Sequence, residues 1–115
     1  MPFDRGTVVL VLFPDSSLKT AKRRPALVVQ ATVLNSGLEQ TIVAMITSNM
    51  SRAGHPSRVA VQQESDVGKQ MGVVSDSVIM TDNLATIMDR EIDRAIGRCV
   101  SMSDVDSALR YTLNL

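Results

Sequence analysis

Lys22-Arg23-Arg24-Pro25-Ala26-Leu27-Val28-Val29 places three consecutive cations directly before a proline and a run of branched apolar residues. Pro25 fixes its own φ and pushes Arg24 towards extended geometry. The stretch predicts a strand from Pro25 to Ala31, with Arg24 a cation held at the rigid mouth of a sheet. A guanidinium fixed in that way is suited to gripping a phosphate.

The neighbouring segments set this strand in an antiparallel sheet. Thr7 to Phe13 is β-branched and almost wholly apolar, as a buried strand requires. Pro14-Asp15-Ser16-Ser17 stops it, and a polar loop leads to Arg23. Asn35-Ser36-Gly37 marks a turn, and Thr41 to Thr47 forms the next strand. Ser48 to Pro56 reads as a polar loop. Arg58 to Gln62 alternates like a short strand, and Gln63 to Gly72 reads as a looser segment. Ser77 to Thr81 and Leu84 to Ile87 read as two strands joined near Asp82-Asn83. Asp89 to Ala95 reads as a short helix or turn, and Cys99-Val100 as a last fragment of strand. Ser103 is the expected N-cap of a closing amphipathic helix reaching about Asn114, with Asp106 as a weak capping-box partner. Five to seven short strands and one terminal helix predict a mainly β fold, a small, strongly bent antiparallel sheet or barrel.

Composition limits the functions open to such a fold. The 115 residues support one domain spanning 1–115. Twelve basic and twelve acidic residues cancel, so a polyanion would have to be held by local clusters. Lys19, Lys22, Arg23 and Arg24 form one such cluster; Arg52, His55 and Arg58 form another. One Tyr, two Phe and no Trp leave little for a base-stacking platform. Cys99 is the single cysteine, which excludes an intramolecular disulfide and suits a reducing cytoplasm. The apolar run Val8 to Phe13 is too short to span a membrane. His55 is the one histidine and has no second imidazole with which to share a metal.

An antiparallel arrangement brings the start of the second strand and the end of the third to the same edge. Arg24 and Thr47, with Ser48 beside it, can therefore meet at one rim. A guanidinium and a hydroxyl donor suffice to bind a phosphodiester and to stabilise added charge on phosphorus. Asp76 and Asp82 flank the next strand, and a nearby carboxylate could accept a proton. Spacing alone leaves open that Thr47 merely ends a strand and Asp82 merely makes a turn.

Taken together, these segments resemble the MazF/PemK (Kid) family of toxin endoribonucleases from toxin–antitoxin modules. Arg5-Gly6-Thr7-Val8-Val9-Leu10-Val11 is similar to the family's opening RGxVxxV strand, and Arg24-Pro25-Ala26-Leu27-Val28-Val29 to its RPxLVV signature. Ile42 to Ser48, Pro56 to Val59, and Asp76 to Ile87 resemble further blocks in the same order. The resemblance implies an SH3-like (PemK/CcdB-type) small antiparallel β-barrel that pairs as a homodimer. It implies a toxin that cuts single-stranded RNA at short motifs without metal or cofactor, by attack of the ribose 2′-hydroxyl to leave 2′,3′-cyclic phosphate and 5′-hydroxyl ends. It puts catalysis on Arg24, Thr47 and Asp82, and the local clusters noted above, with Ser48, then supply the expected RNA contacts: Lys19, Lys22, Arg23, Ser48, Arg52, His55 and Arg58. It also implies a cytoplasmic location, a cognate antitoxin as partner, operator DNA reached only through that antitoxin, and no membrane. Two positions depart from the pattern: Met80 stands where some members carry arginine, and Ala85 where many do. An alternative of another class is a non-catalytic SH3-like binding module, like the gyrase poisons, or a degenerate toxin that binds protein or RNA without turnover.

Overall fold

A computed structural model describes residues 3–14, 21–34 and 36–115. Among them, six strands form one antiparallel sheet in the order β4-β5-β3-β2-β1-β6. The strands are β1 (Thr7–Pro14), β2 (Ala21–Val28), β3 (Gln40–Thr47), β4 (Arg58–Val61), β5 (Ser77–Met88) and β6 (Ile92–Arg98). Helix α1 (Asp66–Met71) lies between β4 and β5, and α2 (Ser103–Leu113) ends the chain. The expected mainly β fold with a C-terminal helix is present. The sheet is bent but not closed, since β4 and β6 remain as edges.

Alternation along the strands builds two cores. Val8, Leu27, Ala44 and Ile46 lie on one face, under Met71 of α1 and Val105 of α2. Val9, Val11, Ala26, Val28, Val43 and Met45 lie on the other, with Ile87. The central strands are thus buried on both faces, which is why β1 reads as an unbroken apolar run rather than an alternating one. Burying a side chain such as Leu27 or Ile79 contributes roughly 1.5–3 kcal/mol.

Strand β2 starts four residues earlier than expected, at Ala21. The cations Lys22, Arg23 and Arg24 are strand residues paired with Phe13, Leu12 and Val11 of β1, and Pro25 is inside the strand rather than at its mouth. The reason lies in the direction of the backbone. Val29 donates to the Ile42 carbonyl at 3.1 Å, so alternation turns Leu27 and Pro25 towards β3 as well. The N–H that proline lacks is therefore missing only on the β3 side. Pairing with β1 continues past it, whereas the β2–β3 ladder stops at Ala26–Met45.

Four other expectations need correction. The segment read as loose contains α1, capped by Ser65, whose side chain accepts from Gly68 N–H, and closed by Gly72 at φ 77°. The two strands expected on either side of Asp82-Asn83 are one strand, β5. Its register with β3 jumps from Ala44–Leu84 to Met45–Met80, so Thr81, Asp82 and Asn83 form a bulge. Asp89–Glu91 is a single 3₁₀ turn, but Ile92–Arg98 then runs as β6 beside β1, and Cys99-Val100 lies outside any strand. Pairing with β1, invisible locally, overrides the polar composition of β6. Finally, Met102 rather than Ser103 is the N-cap of α2, with no side-chain capping bond. Asp106 instead accepts from Arg5 Nη2 at 2.7 Å, fastening the helix to the entry of β1.

Candidate functional site

Beyond Ala26–Met45 the strands β2 and β3 part, and the gap opens into two adjoining cavities. Counting two residues on from that pair sets Arg24 across from Thr47, on the face shared with Ala26, Val28, Val43 and Met45. Both residues line both cavities. The larger cavity, of 430 Å³, is also lined by Arg23, Ser48, Ser75, Ser77 and Arg94. The smaller, of 310 Å³, is completed by Met45, Met80, Asn83 and Ala85.

The larger cavity is a cationic, hydroxyl-rich cleft. Asp93 binds Arg23 at 3.0 Å and Arg94 at 3.2 Å, so a single carboxylate pairs with and orients two of the three arginines that line the cleft. Thr47 Oγ1 accepts from the backbone N–H of Asn49 at 3.1 Å. That bond occupies a lone pair and leaves the hydroxyl proton free to donate. Asn49 Oδ1 in turn accepts from Ser51 N–H, so consecutive side-chain turns hold the start of the β3–β4 loop. A guanidinium facing a hydroxyl donor in this way can hold the non-bridging oxygens of a phosphodiester.

Asp82 stands at the β5 bulge and is not among the residues lining either cavity. Its carboxylate accepts from Ser57 Oγ at 3.2 Å and lies 2.8 Å from Arg58 Nε. The Arg58 N–H is not aligned on a partner, so the pair is held by charge more than by a directed hydrogen bond. Burial pushes the Asp82 pKa up, but the Arg58 and Ser57 contacts outweigh it and hold the group below its ordinary value of 3.8.

The other expected site residues divide into three sets. Ser48 and Arg23 join Arg24 and Thr47 at the cleft, and Lys22 is exposed on β2 beside them. Arg52 and His55 are exposed on the β3–β4 loop. His55 Nδ1 contacts Ser57 Oγ at 2.8 Å, and its ring meets Tyr111 edge-on at 5.9 Å. Arg58 is neutralised by Asp82 rather than presented as a free cation. Lys19 lies outside the described residues. Arg94, Asn83 and the segment 73–75 escaped the sequence reading. Ser65 and Gly72 signal α1, and hence the turn that brings 73–75 to the cleft. Nothing local signals Arg94, which arrives by pairing of β6 with β1. Cys99 is buried, with its thiol pKa raised by desolvation. Among the described residues no helix is long and apolar enough to cross a membrane.

Comparison with known proteins agrees with this architecture. Residues 4–113 match the model of the PemK-like, MazF-like toxins of type II toxin–antitoxin systems. The chain is 36% identical over 107 residues to endoribonuclease MazF2 of Mycobacterium bovis and to endoribonuclease MazF6 of Mycobacterium tuberculosis, covering 90% of each chain. Its fold is similar to that of M. tuberculosis toxin MazF-mt6, with a TM-score of 0.74 at 22% identity over 95% of this chain and 97% of the other. It is similar also to a mycobacterial endoribonuclease solved in complex with its cognate antitoxin, with a TM-score of 0.74 at 22% identity over 99% and 97%. With the match running from the first strand to the last helix, the chain belongs to the PemK-like, MazF-like toxin family of type II toxin–antitoxin systems.

Proposed function

We infer that this chain is the toxin of such a system, a single-domain endoribonuclease that cuts single-stranded RNA. The observation that carries the reading is Arg24 across from Thr47 in a cleft lined by two further arginines, in a chain 36% identical to two named endoribonucleases.

In the proposed reaction the ribose 2′-oxygen forms a bond to the adjacent phosphorus and the bond from phosphorus to the 5′-oxygen breaks. The products are a 2′,3′-cyclic phosphate and a 5′-hydroxyl. Arg24 would hold the non-bridging oxygens through its fork, and Thr47 would donate to one of them, both stabilising the five-coordinate phosphorus. With the nucleophile inside the substrate, orientation and charge stabilisation account for most of the barrier. The 2′-proton passes to a carboxylate, for which Asp82 is the proposed acceptor and Asp93, paired with two arginines of the cleft, the competitor. The leaving 5′-oxygen takes a proton from the medium. Lys22, Arg23 and Ser48 would carry the RNA chain near the cut, with Arg52 and His55 further along it. A homodimer would extend the groove over several nucleotides, and a cognate antitoxin would cover it in the cytoplasm.

A second reading rests on Asp82, whose pairing with Arg58 away from the cavities suits a degenerate toxin that binds without turnover. One assay separates the two. Long single-stranded RNA is incubated with the protein in EDTA and the new ends are mapped. Cyclic phosphate ends that vanish with Arg24→Ala support the nuclease. Intact RNA retarded by the protein supports the binder.

A further inference from the structure

The smaller cavity differs in chemistry from the cationic cleft it adjoins. Met45 and Met80 are directly paired across β3 and β5, and with Ile46 and Ala85 they give it apolar walls. Its one neutral amide is Asn83. Thioether and methyl groups in van der Waals contact suit the flat face of an aromatic ring, and 310 Å³ is ample for one nucleobase.

The bulge is built to aim Asn83 into this space. Thr81 is fully buried. Its hydroxyl contacts the Ser57 carbonyl at 2.7 Å and the Thr112 hydroxyl at 2.8 Å, and its N–H donates to the same carbonyl at 3.1 Å. Asp82 is held by Ser57 and Arg58. Two of the three bulge residues are therefore fastened to the β4 side, and the third lines the cavity beside Arg24 and Thr47. A bulge that re-aims one side chain next to a site, with its neighbours anchored behind it, is preorganised for recognition.

We propose that this methionine-walled pocket takes the base of a nucleotide flanking the scissile phosphate, and that the Asn83 amide selects it by its hydrogen-bonding edge. The inference rests on the endoribonuclease reading for its substrate class. A side-chain amide offers a donor and an acceptor side by side, the pattern with which asparagine reads one base edge against another. Stacking against methionine would give the pocket affinity without aromatic residues.

The test measures binding apart from cutting. Short RNA oligomers, made uncleavable by 2′-deoxy substitution, carry each of the four bases at each position in turn, and their affinities are read by fluorescence anisotropy. The wild-type protein should prefer one base at one position on the order of tenfold or more. Asn83→Ala should flatten that position while leaving the preferences at others in place. Asn83→Asp, which replaces the NH₂ donor by an acceptor, should turn the preference towards bases that present a donor, such as cytosine or adenine. Ala85→Phe, which fills the pocket, should weaken every oligomer with a base at that position relative to an abasic one. Where RNA is also cut, the mapped cleavage motif should change at the same position. A motif and a set of affinities unmoved by Asn83→Ala, or lowered equally at every position, would overturn the proposal, as would a wild-type protein that shows no base preference. Oligomers that bind with the expected preference, while their all-ribose counterparts stay uncut, would overturn the nuclease reading alone.

Discussion

Arg24 and Thr47 face one another across the gap that opens where the β2–β3 ladder ends at Ala26–Met45. Pro25 causes the gap, because its missing N–H lies on the β3 side. One residue thus makes Arg24 extended, holds it against β1 and frees the space in front of it.

Arg24→Ala is expected to reduce RNA cleavage by about a hundred- to a thousandfold, or roughly 3–4 kcal/mol of transition-state stabilisation. Arg24→Lys should rescue poorly, since a point charge cannot reproduce the fork. Single-turnover cleavage with circular dichroism of the folded variant checks this. Near-wild-type turnover in a folded Arg24→Ala protein would sink the assignment.

Thr47→Val keeps the shape and β-branching of the side chain but removes the hydroxyl. It also removes the acceptor for Asn49 N–H, so a small loss of stability should accompany a large loss of activity. Thr47→Ser should retain much of both. An active valine variant would transfer the role to Ser48.

Asp82→Asn is expected to slow cleavage by about ten- to a thousandfold if its carboxylate accepts the 2′-proton. Asp93→Asn is the control that exposes its competitor. Because the Asp82 pKa is lowered in the folded protein, its contribution to stability is present above the ordinary value of 3.8 and is lost as pH falls through the folded value. The stabilities of wild type and Asp82→Asn should therefore differ at neutral pH and converge in acid. Denaturation curves from pH 2 to 7 read this directly. A constant difference across that range would leave Asp82 without a linked proton.

Gly72→Ala should destabilise the fold by about 1–3 kcal/mol. Gly72 has φ +77°, and a Cβ there would collide with the Ile96 carbonyl oxygen. The same change would shift Val73 to Ser75 at the cleft, so RNA affinity should fall with the melting temperature. An unaffected melting temperature would mean that α1 does not pack on β6 as described.

The protein should sediment as a dimer at micromolar concentration and bind the product of a neighbouring antitoxin gene in competition with RNA. An acidic, partly disordered antitoxin tail that folds on binding would place carboxylates where phosphates bind. Lys22→Glu and Arg52→Glu should weaken both ligands and their salt dependence. Both are exposed, whereas reversing Arg23 would also break its pair with Asp93. A ternary complex of toxin, antitoxin and uncleaved RNA would refute the competition.

What depends on near neighbours is legible along the chain. Branched apolar runs set β1 and β3, the Arg24-Pro25 junction fixed an extended arginine, and the spacing of Val105, Ala108 and Leu109 produced α2. The order of these segments was enough to identify the family. Tertiary structure decided what depends on distant partners. β6 is a strand because β1 lies beside it, which carries Arg94 to the cleft. Asp82 is committed to Arg58 because β4 pairs with β5, a relation that no spacing within Asp76 to Ile87 contains. The bulge at Thr81–Asn83 exists because β5 must serve β4 at one end and β3 along its length. Local pattern encodes period and face; it does not encode which strand supplies the hydrogen bonds or which charge neutralises a carboxylate.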